Sequence, residues 1–296
     1  MLKKCVQKLH YIQQKYKDKK RFNERIAEIE NAESLYALND NQRDEEIIVS
    51  LTSFPARYET LHLVIKSILC QTMKPDRIIL YIDESEKPKC FPESLEKLKK
   101  YGLEIDCRQY PFNMKPHKKY YYAMKEHPES IIITIDDDII YPDDLISTLY
   151  ACHKSFRNCV VAVRSHQILF DENGKVKKYN DWEWMSERTN EPSMSLMATG
   201  CGGVLYPPHC MSNRLFDIDL IKELSLGADD LWLKAMQVLV HTPVVNCNQE
   251  IRKKRVVVDG SQEESLNASN VHENVNDVYM NNLMSYFKLT EKDFME

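Results

Sequence analysis

Residues 131–142 read IIITIDDDIIYP. Ile131, Ile132, Ile133, Thr134 and Ile135 form a short β-favouring run, the pattern of a strand buried on both faces. Asp136, Asp137 and Asp138 follow at its carboxyl end, and Tyr141–Pro142 opens a helix. Pro142 suits a first helical turn, and Asp143 and Asp144 there complement the helix dipole. Side chains alternate along a strand, so Asp136 and Asp138 point one way and Asp137 the other. Two carboxylates on one side, about 7 Å apart, repel unless a positive charge lies between them. A hard divalent cation meets that need, because Mg²⁺ and Mn²⁺ prefer oxygen ligands. The plain alternative is that the acids only end the strand. It leaves three consecutive acids unexplained at the sheet edge where open α/β folds bind ligands.

Outward from this stretch the chain alternates strand and helix patterns from residue 46 onward. IIVSLTS (47–53), RIILYID (77–83), LEIDCRQY (103–110) and CVVAVRS (159–165) read as strands. YETLHLVIKSILCQT (58–72) is a helix with Leu61, Ile65, Ile68 and Leu69 on one face. PESLEKLKKYG (92–102) is a short helix closed by a C′ glycine, and HKKYYYAMKEH (117–127) a helix stopped by Pro128. A further helix is expected over 142–157. The repetition predicts an α/β fold: a mostly parallel central sheet, flanked by helices and joined by right-handed crossovers. After 165 the rhythm changes. QILFDENGKVKKYNDW reads as a hairpin about Glu172–Asn173–Gly174. SLMATGCGGVLYPP (195–208) is a glycine-punctuated strand region. Helices are expected over 216–224 and 229–239, a strand over 242–246, irregular loop over 250–274 and a last helix over 275–290.

The chain has 296 residues, 43% hydrophobic and 29% charged, enough to bury a sizeable core. The net charge of −5 argues against a nucleic-acid binder. No apolar run reaches membrane-spanning length and no signal-peptide core is visible at the N-terminus. The nine cysteines contain no C-x-x-C pair, as expected of reduced thiols in a cytoplasm. G-x-G-x-x-G and G-x-x-x-x-G-K-[ST] are both missing, so neither a dinucleotide fingerprint nor a Walker-type loop is expected. Residues 1–45 read as a polar helical arm. Its first 25 residues carry nine Lys or Arg against Asp18 and Glu24, and it turns acidic after that. The weak stripe Leu2, Val6, Leu9, Ile12 and Tyr16 favours a solvated or loosely packed helix. A peripheral contact with an anionic membrane inner face is the functional alternative.

Several landmarks stand in a definite order: SLTSFPARYETLHLVIKSILCQT, RIILYIDES, IIITIDDDIIYPDDL, TGCGGVLYPP and GADDLWLKA. Together these resemble the nucleotide-sugar-dependent glycosyltransferases of GT-A fold, in particular family-2-like bacterial enzymes that build surface polysaccharides. The resemblance covers roughly residues 46–246 and is carried by the D-x-D on a buried strand, the P-x-R after the first strand and the acid pair before a helical Trp. It implies one Rossmann-like GT-A domain over 46–296. Residues 46–165 form its nucleotide-binding half, 166–250 its acceptor half and 251–296 a C-terminal loop and helix. It implies a nucleotide-sugar donor, a glycan or lipid-linked glycan acceptor, and Mn²⁺ or Mg²⁺ as cofactor, in the cytoplasm or at the inner membrane face.

Residue by residue, the resemblance assigns the nucleotide to Thr52, Ser53, Pro55 and Arg57 at the first strand tip. Asp83 is the acid that touches the base, or else an ordinary turn acid; if the former, it suits a uracil edge and a UDP-sugar. Asp138 is the likelier direct metal ligand, with Asp136 holding ribose and metal and Asp137 more structural. A departing diphosphate gains negative charge, so Lys115, His117, Lys118 and Lys119 are phosphate candidates, running as they do against their helix dipole. Asp230 is the expected general base and Asp229 the second choice, although either also suits a helix cap. Gly200, Gly202 and Gly203 leave room for donor or acceptor sugar, or mark a strand crossing. Trp182 and Trp184 stack on the acceptor sugar, or serve as core aromatics. His272 is the candidate third metal ligand, with His241 a weaker one and Asp277 a polar neighbour. Two other readings compete. A sugar nucleotidyltransferase needs a glycine-rich first loop, which SLTSFPARY lacks. A non-catalytic GT-A-like scaffold needs a lost base or metal ligand, yet Asp138 and Asp230 are both present.

Overall fold

A computed structural model describes residues 2–247, 250–261 and 274–295. The apolar runs fold into a seven-stranded sheet built from β1 (Ile47–Thr52), β2 (Arg77–Asp83), β3 (Leu103–Arg108), β4 (Ile131–Thr134), β6 (Val160–Ala162), β9 (Val204–Tyr206) and β10 (Val244–Asn246). The spatial order is β10-β6-β9-β4-β1-β2-β3. β1, β2, β3 and β4 are mutually parallel, as are β6 and β10. β9 alone runs antiparallel, between β4 and β6. Two short ribbons stand apart: β5 (Ile139–Ile140) with β11 (Val256–Val257), and β7 (Ser165–Gln167) with β8 (Leu196–Ala198).

The two-sided burial inferred for the isoleucine strands follows from helices on both faces. β1 and β4 are wholly buried but for Thr52. α2 (Tyr58–Leu69), α3 (Glu93–Glu96) and α5 (Leu145–Ser155) cover one face through Leu61, Ile65, Ile68 and Leu149. α4 (Lys118–Glu126), α6 (Ile218–Leu224), α7 (Asp229–Val238) and α9 (Val275–Phe287) cover the other around Tyr120, Trp232 and Leu283. Gly102 ends the turn after α3 at φ 98°, the left-handed conformation that glycine adopts freely.

Three expectations change. β4 stops at Thr134, and 135–138 form a turn into β5 rather than a strand tip running straight into a helix; α5 starts only at Leu145. The 250–274 stretch is not all irregular: α8 (Glu250–Lys254) and β11 occupy its described part. The N-terminal helix α1 (Leu2–Asn31) is no free arm at its C-terminal end, because Ile29 is buried in the core and Phe22 and Ile26 pack against it. Tyr16, the last residue of the anticipated stripe, is 73% exposed. Among the described residues no helix is long and apolar enough to cross a membrane.

Candidate active site

The parallel strands end at one edge, and there a cleft of about 830 Å³ opens. β1 delivers Thr52 and Ser53. Pro55 then starts a single 3-10 turn, its fixed φ suiting that position, and Arg57 ends it. The Arg57 side chain is buried, over the Phe54 ring and 3.3 Å from Asp138 Oδ2. Ser53 Oγ donates to Asp137 Oδ2 at 2.5 Å. The turn after β4 therefore sends the acids to separate partners. Asp136 takes Lys119, Asp137 takes Ser53, and Asp138 takes Arg57. All three line the cleft, so the simple strand alternation does not extend to them. Burial, first of all, pushes the Asp137 carboxyl up to about 7.

Lys119, from the first turn of α4, is the electrostatic centre. Its Nζ lies 2.8 Å from Asp136 Oδ1 and 2.9 Å from Asp229 Oδ2. Burial opposes its charge, but Asp136, Asp229 and Asp230 outweigh that and hold the ammonium well above its usual range. Asp229 and Asp230 occupy the first turn of α7. Burial works against charge on both. Lys119 outweighs it at Asp229, which stays below the usual carboxylate range. At Asp230 burial prevails, and the negative Asp229 adds to it, so its carboxyl sits far above that range. The Gly200 N–H donates to Asp230 at 3.1 Å. A methyl group on Gly200 would stand 2.8 Å from Lys119 Nζ, so a bare backbone is what lets these charges meet.

The cleft gathers Thr52, Ser53, Arg57, Lys115, Lys118, Lys119, Asp136, Asp137, Asp138, Trp184, Asp229 and Asp230. Other anticipated residues fall outside it. Pro55 shapes the turn that presents Arg57. Asp83 caps the turn 84–86, accepting from Ser85 N–H at 3.0 Å, which is its turn-acid reading. Gly203 has φ 88° and faces Leu145, while a methyl on Gly202 would meet the Arg164 amide at 3.0 Å; both serve the crossing into β9. Trp182 is buried with its Nε1–H on Lys177 O. His117 is enclosed, bonded to Tyr120 Oη and Ser225 O, and pushed down to about 4 by burial, so it carries no charge to a phosphate. Lys118, although it lines the cleft, is buried on Glu86 at 3.0 Å. His241 is exposed and lines no part of the cleft. The Asp277 carboxylate accepts from the Tyr179 N–H. His272 lies outside the described residues.

Several cleft residues were not anticipated: Arg164, His166, Tyr179, Cys201, Arg252 and Arg255. Trp184 stacks on His166 with ring centres 4.9 Å apart, and stays 36% exposed. The RKKR run at 252–255 was the available signal, but a five-residue helix inside a polar tail shows no periodicity.

Residues 47–221 match the profile of glycosyl transferase family 2. No curated protein matches the chain. Among solved structures, the mannosyltransferase PcManGT from Pyrobaculum calidifontis, in complex with GDP-Man and Mn²⁺, aligns at 11% identity and TM-score 0.50, over 91% of this chain and 73% of that one. TarS 1–349 from S. aureus, in complex with UDP, aligns at 12% identity and TM-score 0.45, over 68% of this chain and 57% of that one. At such identity the first likeness is one of fold, and the second carries no argument. The family match spans more than half of the chain, from β1 through most of α6; with the sheet order and helix layers described above, the chain belongs to glycosyl transferase family 2 and has the GT-A fold.

Proposed function

We propose that the chain moves a sugar from a nucleoside diphosphate sugar, held with a divalent cation, to a hydroxyl of a glycan or lipid-linked glycan. The observation that carries this reading is the meeting, in one cleft, of Asp136, Asp229 and Asp230 around buried Lys119, with Asp138 on Arg57 in the same cleft. Asp136 and Asp138 are the residues that would hold the cation. Their side chains are 29% and 15% exposed at the cleft. Among the described residues no third His, Cys, Asp or Glu completes a cage with them. Two hard carboxylates without a closed cage fit a cation that is shared with substrate phosphates. When bound, such a cation stabilises the negative charge that grows on the departing diphosphate.

The chain's own residues do the rest. Thr52 and Ser53 offer hydroxyls to the nucleoside from the β1 tip. Arg57 and Lys119, now paired with the acids, keep positive charge beside the phosphates. Asp230 takes the acceptor's proton, since a carboxyl whose proton affinity is raised toward ambient pH makes a better base. Asp229 stays ionised and holds Lys119. Trp184 offers an exposed ring face to the acceptor sugar. The case for uracil depends on Asp83, which caps the turn 84–86 and is not among the residues lining the cleft, so the assay spans UDP-, GDP- and CMP-sugars.

The test is nucleoside diphosphate release in Mn²⁺. Asp138→Asn and Asp230→Asn each lower it by about two orders of magnitude or more, judged from metal and base contributions. Undiminished release by Asp138→Asn removes the cation from the proposal, and undiminished release by Asp230→Asn removes the base. A wild-type protein that binds sugar nucleotides yet turns none over is a scaffold.

A further inference from the structure

One wall of the cleft carries positive charge that no ion pair among the described residues matches. Near the β1 tip, each buried cation is already matched: Arg57 by Asp138, Lys118 by Glu86, Lys119 by Asp136 and Asp229. The donor's diphosphate is matched in turn by the divalent cation, on the reading above. Arg164, Arg252 and Arg255 are different. Their hydrogen bonds go to neutral acceptors. Arg164 reaches Cys201 Sγ at 2.7 Å, Arg252 reaches Met185 O at 3.3 Å, and Arg255 reaches Arg252 O and Cys201 O. None of the three is ion-paired among the described residues.

The fold sorts the basic run to make this wall. Lys253 and Lys254 are exposed, on Glu250 and Asp144. Arg252, in the last turn of α8, and Arg255, the residue just after that helix, are half-buried and line the cleft. There Arg255 meets Arg164 at Cys201, the residue after Gly200, which holds the Asp230 carboxyl group. Two further contacts put the wall on the acceptor side. Met185, which takes Arg252, follows Trp184; and Arg164 is close enough to His166, under that ring, to help lower its proton affinity.

We infer that Arg164, Arg252 and Arg255 form a phosphate subsite for the acceptor, so that the hydroxyl compound receiving the sugar carries a phosphate group beside that hydroxyl. Planar guanidinium forks suit phosphate oxygens. A phosphate bears more charge than a carboxylate, which suits a site with three unmatched cations. The inference rests on the donor reading, because the donor and its cation must close their own charge balance elsewhere.

The test is calorimetric, with glycerol 3-phosphate as probe. It is titrated into full-length protein saturated with Mn²⁺ and whichever nucleoside diphosphate binds. The expected result is binding alongside the nucleotide. Arg164→Gln and Arg252→Gln each weaken that binding about tenfold or more, the loss of a charged hydrogen bond. Arg252→Lys, which keeps the charge but not the fork, loses less. Lys253→Gln leaves probe binding unchanged. Melting temperatures of the variants exclude unfolding as the cause. The inference is overturned if the nucleotide-saturated protein does not bind the probe, if nucleotide displaces the probe, or if the arginine variants weaken nucleoside diphosphate binding by the same factor; in the last two cases the arginines serve the donor. If no nucleoside diphosphate binds at all, the donor reading fails in its own titration. The probe titration is then read on the Mn²⁺-loaded protein, where absent binding overturns the subsite as well.

Discussion

Lys234 sits inside α7 with 1% of its surface exposed and no hydrogen-bond partner for Nζ among the described residues. The centre of the Phe294 ring lies 5.9 Å from Nζ. Burial pushes the ammonium down to about 7. The sign of the consequence is fixed: between about 7 and its unfolded value of 10.5, the unfolded chain binds a proton that the folded chain does not. Stability therefore rises with pH across that window, by about 1.4 kcal/mol per unit at most. Lys234→Met, of similar length and without charge, is expected to raise the neutral-pH urea midpoint and flatten its rise toward pH 10. An unchanged slope would mean that the amine reaches water. Asp230 gives a second dependence. As a base it must be ionised, and its proton affinity is raised, so kcat/KM climbs through the neutral range instead of levelling off near pH 5, where an ordinary carboxylate would be fully ionised. An acid limb centred below pH 5 would reassign the base. The place of Asp136–Asp138 in a cleft at the sheet edge was legible because carboxylates after a buried apolar run have few plain explanations. Their separate partners were not legible, since a turn obeys no period.

At the scale of elements, α1 and β9 depart most from pattern reasoning. The basic residues of α1 suggest a solvated helix, yet its C-terminal turns bring Ile29 into the core. Only the tertiary partners, α2 and β11, determine which stripe of a polar helix is buried. Ile29→Ala is expected to cost about 2–5 kcal/mol, read as a lower urea midpoint at constant slope; an unmoved midpoint would mark the helix as a detachable arm. The parallel strands β1 to β4 were legible from isoleucine runs and intervening amphipathic helices. The direction of β9 was not, because the three residues of Val204–Tyr206 read the same either way along a sheet. Gly203 was the local sign of that reversal: at φ 88° against Leu145, the chain turns where another side chain would strain it.

For the molecule as a whole, the −5 formal charge conceals an uneven interior. The cleft places buried acids and lysines against a wall of unmatched arginines. A ligand held by residues that only the fold brings together binds the folded state alone. Mn²⁺ together with the donor's nucleoside diphosphate should then raise the melting temperature, with a gain of about 2.7 kcal/mol at a hundredfold excess over Kd. Chelation with EDTA should reverse the shift, and Asp138→Asn should remove its metal-dependent part. A shift indifferent to EDTA would place the nucleotide elsewhere. The reversed strand has a last consequence. Because β9 runs against its neighbours, the loop before it opens on the same rim as the loops after β4 and β6. On the function proposed above, the exposed positions within 163–199 are therefore where the recipient would be respecified, while Thr52–Arg57, Asp136–Asp138 and Gly200 stay fixed. Diversification within this architecture then has a short route: rewrite the outer face of one contiguous insert and leave its buried strands alone.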